Sequence, residues 1–224
     1  MQKRRVANNI SIRMYKHFFK RFFDFVGALL IILLLWPLYL IIAILVKVKI
    51  GSPVFFKQER VGKGGKTFTM YKFRSMTNAT DENGNLLHES LRHTKFGEAL
   101  RSTSLDELPE IWSILKGDMS FVGPRPLPTY YAPYYYKSER KRHEVVGGLI
   151  PSDSLSLELN QTYELQFKWD CYYVDHLSLW IDIKTILYTF KIEYLRLTKN
   201  YGSVDRPHLN VMRANISKEE LDNN

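Results

Sequence analysis

The sequence predicts a mostly helical α+β fold, in which an N-terminal membrane helix precedes a small domain with a β-hairpin and amphipathic surface helices. Three patterns predict it. Residues 25–46 carry no charge, residues 53–76 alternate as strand, turn and strand, and polar residues recur every three or four positions over 175–196. The chain accordingly divides into a basic segment (1–21), a membrane segment (22–50), a domain (51–200) and a polar tail (201–224).

Charge and cysteine content narrow the class of protein. The 224 residues include 32 Lys and Arg against 23 Asp and Glu, a net charge of +9, which favours an anionic partner: nucleic acid, anionic lipid or a phosphorylated substrate. The chain has no recognisable DNA- or RNA-binding module, so no nucleic-acid partner is expected. Its one cysteine, Cys171, excludes an intramolecular disulfide and is compatible with a reducing, cytosol-facing location.

The uncharged run over 25–46 is long enough for a transmembrane helix. The basic segment before it predicts attraction to anionic lipid head groups. Trp36 and Pro37 lie at its middle, where a proline removes a helix hydrogen bond and imposes a kink. Lysines lie on both flanks, so the positive-inside rule gives no direction. From the residues alone, a spanning helix and a re-entrant helix broken at Trp36-Pro37 both remain open.

Residues 53–76 predict a β-hairpin whose turn is the glycine-rich stretch 62–65. This stretch lacks phosphate-loop spacing, so we interpret it as a turn only. Lys72 and Arg74, two residues apart, would point to one face of the second strand. They are either solvated charges or a pair of cations that binds phosphate.

The stretch 104–110 (SLDELPE) holds two adjacent carboxylates, Asp106 and Glu107, with Arg101 just before them. Ser104 and Glu107 fit a capping box, which needs no further chemistry. Asp106 is not required by that box. As an N-cap it would put Pro109 in the first helical turn, where the missing N–H is harmless. Carboxylates at a helix start beside arginines indicate, alternatively, a metal and phosphate site.

The last third of the chain is less informative. Residues 147–166 show no clear period, and the stretch after 201 is polar, which predicts a frayed end. The helix predicted over 175–196 has a polar stripe and an apolar face. The stripe comprises Asp175, Ser178, Asp182, Thr185, Thr189, Glu193 and Arg196. Core packing and docking at a membrane surface both fit the apolar face, which includes Leu179 and Leu187.

Four stretches carry a family resemblance: 53–60 (PVFFKQER), 71–76 (YKFRSM), 101–109 (RSTSLDELP) and 115–126 (LKGDMSFVGPRP), with a weaker match over 172–180. They resemble the bacterial polyprenol-phosphate phosphoglycosyl transferases of the monotopic type. The resemblance covers most of residues 20–190. It implies transfer of a sugar-1-phosphate from a UDP-sugar to undecaprenyl phosphate, the first membrane step of surface glycan assembly.

The resemblance also implies roles for individual residues. Asp106 would be the nucleophile that attacks the β-phosphorus, and Glu107 would hold Mg²⁺ together with it. Lys72, Arg101 and Arg125 match positions near the phosphates. The chemistry is coherent, because a carboxylate nucleophile divides the transfer into two displacements and Mg²⁺ needs only one or two protein carboxylates besides phosphates.

For the membrane segment, the resemblance favours the re-entrant alternative, on the cytoplasmic face of the bacterial inner membrane. Downstream glycosyltransferases are further partners that it implies. The chain departs from the family pattern over 146–153 (VGGLIPSD), where an arginine and a proline are absent, and at Trp36, where a small or polar residue is expected. The altered loop motivates one alternative, a non-catalytic membrane scaffold or regulator on the same fold. Neither the sugar nor the oligomeric state follows from the sequence.

Overall fold

The computed structural model describes residues 14–199 and 206–223, with the backbone only for His17 and Lys199. Its elements form a mostly helical α+β fold, as predicted. Of the basic segment predicted at 1–21, residues 1–13 lie outside the described residues.

Helix α1 (Lys20–Lys49) follows a π-helical turn (Tyr15–Phe19) directly. It is long and apolar enough to cross a membrane, and it is the one such helix among the described residues. The helix continues through Trp36 and Pro37, so the predicted break into two arms is wrong. A proline removes a single helix hydrogen bond. Ile32 before Pro37 and Tyr39 after it both pack against the domain, and this packing holds the flanking turns of the helix.

The domain contacts α1 from near its first turn to near its last. Asp24 accepts a hydrogen bond from the backbone N–H of Phe121 at 3.0 Å, and Ala28 is fully buried. Farther along, Tyr39 donates to the carbonyl of Leu108. Val46 is again fully buried. The domain therefore lies alongside the helix rather than at one end of it.

The outer face of α1 is apolar and exposed. It includes Phe22, Leu30, Leu33, Leu34, Trp36, Leu40, Ile41 and Ile44. The basic segment was predicted to bind lipid head groups, but two of its cations contact the domain instead. Lys20 is buried and forms an ion pair with Asp182 at 2.7 Å. Arg21 donates to the carbonyls of Ile114 and Leu115 at 2.5 and 2.7 Å. These two cations attach α1 to the domain.

The predicted hairpin is confirmed. Strands β1 (Phe55–Val61) and β2 (Thr67–Phe73) pair antiparallel, with Phe55 opposite Phe73. The glycine turn between them contains Gly64 at φ +67° and Gly65 at φ +75°. Glycine adopts this left-handed conformation without a steric penalty.

Short helices and a second sheet follow the hairpin. The helices are α2 (Glu89–Arg92), α3 (Lys95–Ser102) and α4 (Glu110–Lys116), with a 3-10 turn (Leu105–Glu107) before α4. Strands β3 (Met119–Gly123) and β4 (Gly147–Pro151) pair in parallel. A Cβ atom on Gly148 would lie 2.0 Å from the backbone nitrogen of Gly123. The loop 146–153, which departs from the family pattern, thus contains strand β4, and the close pairing of β4 with β3 requires glycine.

Helices α5 (Tyr163–His176) and α6 (Leu179–Lys199) replace the single helix predicted over 175–196. The polar stripe of α6 faces the protein: Asp182 and Thr185 are buried. Its apolar residues Leu187 and Phe190 are 58% and 69% exposed. Of the two alternatives for that apolar face, packing in the core formed by residues 14–199 and 206–223 is therefore not observed.

The described part of the predicted polar tail folds back onto the domain. It contains α7 (Leu209–Met212) and α8 (Lys218–Asn223), and both Leu209 and Leu221 are buried. Arg213 donates to both carboxylate oxygens of Glu139 at 2.7 and 2.8 Å. A frayed end therefore does not describe residues 206–223. Few residues of this segment are apolar, so ion pairs and aromatic contacts supply much of its packing against the domain.

Candidate active site

The two adjacent carboxylates lie in the 3-10 turn between α3 and α4. Ser104 precedes the turn in the left-handed conformation, with φ +54°, and its side chain caps no N–H group. The capping box is therefore not formed. Asp106 is not the N-cap of α4 either, because Pro109 occupies that position. The acidic pair is thus free of the capping role that its spacing allowed.

Glu107 lies at the centre of a network of charges. Its Oε1 atom accepts hydrogen bonds from Lys72 at 2.5 Å and from Arg125 at 3.3 Å. Lys72 also pairs with the buried Glu110 at 3.2 Å. Burial alone would raise the pKa of Glu107, but Arg125 and Lys72 outweigh it and hold that pKa below its ordinary value. Burial raises the pKa of Glu110, against the opposing effect of Lys72.

Asp106 is only 8% exposed. Within the described residues no other side chain donates a hydrogen bond to its carboxylate. Burial raises the pKa of Asp106, and the charges of Lys72 and Arg101 partly counteract that effect. The site therefore contains a buried carboxylate beside cations but bound to none of them.

Two clefts meet at this turn. The basic cleft, of about 830 Å³, is lined by five cations (Arg60, Lys72, Arg74, Arg92 and Arg101) and by Tyr130, Tyr131, Tyr163 and His208. The apolar cleft, of about 650 Å³, is lined by Leu108, Ile111, Leu149, Ile150, Leu159 and Ile192, and by Arg125, Arg196 and Arg206. Asp106 lines the basic cleft, and Glu107 lines both. The acidic pair is thus accessible from two sides.

The predicted phosphate-binding residues converge on these clefts. Arg101, held by its Nε–H bond to Ser75 at 2.9 Å, and Arg74 line the basic cleft. Lys72 lies there too, between Glu107 and Glu110. Arg125 lines the apolar cleft. Trp36 and Pro37, predicted as the membrane break, line neither cleft among those described.

A buried ion pair supports the backbone at Arg125. Arg142, 2% exposed, donates to the Arg125 carbonyl at 2.7 Å and pairs with Asp170 at 2.8 Å. Asp170 also accepts a hydrogen bond from Ser152 at 2.6 Å. The pair joins the loop of Arg125, the turn after β4 and helix α5. Arg142 is therefore a positioning residue.

Several site residues were not predicted. Glu110 belongs to the same motif, three residues after Glu107, and that spacing could have indicated it. Arg60 lies in a matched stretch and lines the basic cleft. Arg206 and His208 come from the tail and line the apolar and basic clefts respectively. No local sequence signal indicates the last two, because they reach the site only when the tail folds back.

The acidic pair could hold a divalent cation. The described residues contain no group of three or more His, Cys, Asp or Glu side chains arranged for a metal. Mg²⁺ needs only one or two carboxylates when phosphates complete its shell. The Asp106 carboxylate has no side-chain donor among the described residues, and the Oε2 atom of Glu107 accepts no hydrogen bond from them. Both groups therefore have free oxygen ligands.

Comparison with known proteins gives a family. The family described as bacterial sugar transferase matches residues 15–196. The uncharacterized sugar transferase EpsL of Bacillus subtilis (strain 168) is 42% identical over 172 residues, which cover 77% of this chain and 85% of that protein. Residues 206–223 lie beyond the family match.

Two further relatives have more specific names. The UDP-glucose:undecaprenyl-phosphate glucose-1-phosphate transferase of Xanthomonas campestris pv. campestris is 38% identical over 178 residues, 74% of this chain and 37% of that protein. The UDP-N-acetylgalactosamine-undecaprenyl-phosphate N-acetylgalactosaminephosphotransferase of Aeromonas hydrophila is 33% identical over 183 residues, 78% of this chain and 43% of that protein. The chain spans less than half the length of these two relatives.

Proposed function

The chain belongs to the bacterial sugar transferase family, and we propose that it transfers a sugar-1-phosphate from a UDP-sugar to undecaprenyl phosphate, which begins the assembly of a surface glycan. The names of the Xanthomonas and Aeromonas relatives support both substrates. The observation that carries the proposal is Asp106, a buried carboxylate surrounded by cations yet without a side-chain donor in the described chain.

The transfer proceeds through a covalent intermediate on Asp106. A carboxylate oxygen attacks the β-phosphorus, and the bond from that phosphorus to the oxygen bridging the α-phosphate breaks. UMP leaves with the bonding electron pair, and the sugar phosphate remains on Asp106 as an acyl phosphate. A phosphate oxygen of undecaprenyl phosphate then attacks the same phosphorus, and the bond to Asp106 breaks. The acceptor phosphate is already ionised, so no general base is required.

The basic cleft suits the UDP-sugar. Five cations line it, and Arg guanidinium groups bind phosphate oxygens through paired N–H donors. Aromatic rings such as Tyr130 offer faces on which a base can stack. Lys72 and Arg125 hold Glu107 ionised beside Asp106, and their positive charge offsets the approach of a carboxylate to an anionic diphosphate.

Mg²⁺ would be held by Asp106 and by the free Oε2 atom of Glu107, together with substrate phosphate oxygens. When bound there, it would neutralise charge on the diphosphate. Lys72 and Arg125 bond to the Oε1 atom of Glu107 and leave its Oε2 atom available for the cation.

The contact of the domain with α1 along its length supports a monotopic arrangement on the cytoplasmic face of the inner membrane. A polar domain that contacts α1 at both Asp24 and Val46 leaves no room for a bilayer between those points. The exposed apolar face of α1 would then lie in one leaflet, with both helix ends on the same side.

The deciding experiment uses the full chain in nanodiscs. With a UDP-sugar that it accepts and no lipid acceptor, the protein should release up to one equivalent of UMP and retain a sugar-phosphate adduct. Asp106→Asn should abolish the UMP burst and turnover while leaving the melting temperature Tm close to that of the wild type, and removal of Mg²⁺ should also abolish activity. Glu107→Gln should be severely impaired but folded. Near-normal turnover by Asp106→Asn would refute the mechanism.

A further inference from the structure

The C-terminal segment is held in place where it reaches the two clefts. Leu209 is fully buried in a cluster with Leu127 and Phe167. The ion pair between Arg213 and Glu139 fixes the segment a few residues farther on. Arg206 is therefore presented to the apolar cleft by an anchored stretch of chain.

Arg206 is oriented by neutral groups. It donates to the carbonyl of Gln161 at 3.1 Å and to Oε1 of Gln166 at 2.8 Å, and its guanidinium lies 3.8 Å from the centre of the Tyr163 ring. These bonds use two of the five N–H donors of the guanidinium. No carboxylate of the described residues lies within ion-pair distance of it. By contrast, Arg125 and Arg196, in the same cleft, each pair with a glutamate.

A second unused donor lies in the same cleft. Gln166 is 1% exposed, lines the cleft, and has no hydrogen-bond partner for its Nε2 atom among the described residues. The orientation of its amide follows from Arg206, which can only donate and must therefore face the oxygen. A buried donor without a partner is costly unless a ligand accepts its hydrogen bond.

We propose that Arg206 and Gln166 bind the phosphate group of the isoprenoid acceptor in the apolar cleft. The inference rests on the proposed function and adds to it a residue from outside the family match, which ends at residue 196. The cleft offers both kinds of contact that an isoprenoid phosphate needs, because three arginines and six leucine or isoleucine residues line it. Hydrocarbon next to a phosphate requires such a surface.

The surroundings of the cleft are consistent with a lipid. Ile192 of α6 lines it, while Leu187 and Phe190 on the outer side of the same helix are exposed and apolar. Glu107 lines the same cleft, so the cleft connects Arg206 with the acidic pair. Three carboxylates line the cleft and would oppose an anion: Asp153, and Glu107 and Glu193, which pair with Arg125 and Arg196. Burial raises the pKa of the Asp153 carboxyl, although the charges of Arg125, Arg142 and Arg206 act in the other direction.

The test separates the two halves of the reaction in the full chain. Nanodiscs of phosphatidylethanolamine and phosphatidylglycerol carry undecaprenyl phosphate at several densities, with a UDP-sugar that the wild type uses. Arg206→Gln should raise the KM for undecaprenyl phosphate about 10-fold or more, as expected for loss of a charge-assisted hydrogen bond. Its KM for the UDP-sugar, and its UMP burst without acceptor, should stay within about 2-fold.

Matched variants complete the test. Lys218→Gln removes an exposed charge from the same tail and should change neither KM. Gln166→Leu should raise the acceptor KM but not that of the UDP-sugar. An unchanged acceptor KM in Arg206→Gln, or an equal rise in both KM values, would overturn the proposal.

If Arg206→Gln has a lower Tm than the wild type, Arg206→Lys becomes the deciding variant. It keeps the positive charge but lacks the paired N–H donors with which the guanidinium binds both glutamines. An acceptor KM near that of the wild type then supports the proposal, and one as high as in Arg206→Gln overturns it. Failure of the proposed function would look different, because the wild type itself would then release no UMP from any UDP-sugar.

Discussion

A lysine between three carboxylates determines the electrostatics of the acidic turn. Lys72 contacts Glu107 at 2.5 Å and Glu110 at 3.2 Å, and its charge also lowers the pKa of Asp106 against the larger effect of burial. Because burial makes each unpaired charge costly, this cation stabilises the fold in addition to its proposed role in binding phosphate. Its two functions can be separated by substitution.

Lys72→Met should destabilise the protein by about 3 kcal/mol, because it leaves Glu110 buried and unpaired. Lys72→Met combined with Glu110→Gln should recover most of the lost Tm while remaining inactive. Thermal unfolding in detergent at pH 8 measures both. If the double variant were no more stable than Lys72→Met, Glu110 would not be the group that needs the lysine.

His143 gives the fold an acid-sensitive element. Burial lowers the pKa of His143 to about 4, with a further contribution from Arg142. The ordinary value is about 6.5, so the unfolded chain binds a proton on this residue between these pH values and the folded chain does not. The contribution to stability is therefore complete above pH 6.5 and is lost as the pH falls towards 4.

Replacing His143 should flatten this dependence. His143→Leu should lose less stability than the wild type between pH 7 and pH 5, by as much as about 2 kcal/mol. Tm measured across that range gives the comparison, and His88→Leu, at an exposed position, should follow the wild type. Parallel Tm curves for His143→Leu and the wild type would show that the histidine is charged in the folded protein.

Helix α6 buries polar side chains and exposes an apolar face, the reverse of the pattern usual for a helix on a soluble domain. Asp182 is buried because it pairs with Lys20 and accepts hydrogen bonds from Tyr15 and Tyr173 at 2.6 and 2.5 Å. The apolar face is left exposed, as is the proposed membrane face of α1. The buried polar residues of this helix therefore stabilise the fold, and its exposed apolar residues are available to a bilayer.

This arrangement predicts an unusual pattern of substitutions. Thr185→Asp should lower Tm by more than about 5 °C, because it buries a charge. Leu187→Glu and Phe190→Glu should leave Tm in detergent within about 2 °C, as should Ser178→Asp near the start of the helix. In nanodiscs, a fluorophore attached through Leu187→Cys in a Cys171→Ser background should be quenched by nitroxide lipids. Absence of quenching would exclude membrane contact by this face.

The molecule as a whole constrains its own topology, because the domain extends along α1. Lys16→Cys and Ser52→Cys, each in a Cys171→Ser background, should both resist membrane-impermeant thiol reagents in intact cells. Both should react after the cells are lysed. Labelling of one position but not the other in intact cells would indicate a helix that spans the membrane.

Much of the site could be predicted because its central residues are close in sequence. Asp106 and Glu107 stand in one turn, and the hairpin that carries Lys72 follows from local alternation and glycine content. The contact of Lys72 with Glu110 joins residues 38 positions apart, so no spacing rule could indicate it. The break predicted at Pro37 failed for a similar reason, since packing from the domain holds the helix across a local defect.

The sequence by itself determined the fold class, the long apolar helix, the hairpin and the acidic pair, since each follows from local periodicity, turn chemistry or a short motif. Only the tertiary structure decided which face of α6 turns inward, because an apolar face suits a protein core and a bilayer equally well. It alone brought Arg206 and His208 to the clefts. The tail that carries them is attached by ion pairs, cation–π contacts and two buried leucines, and such an attachment leaves no hydrophobic period in the sequence.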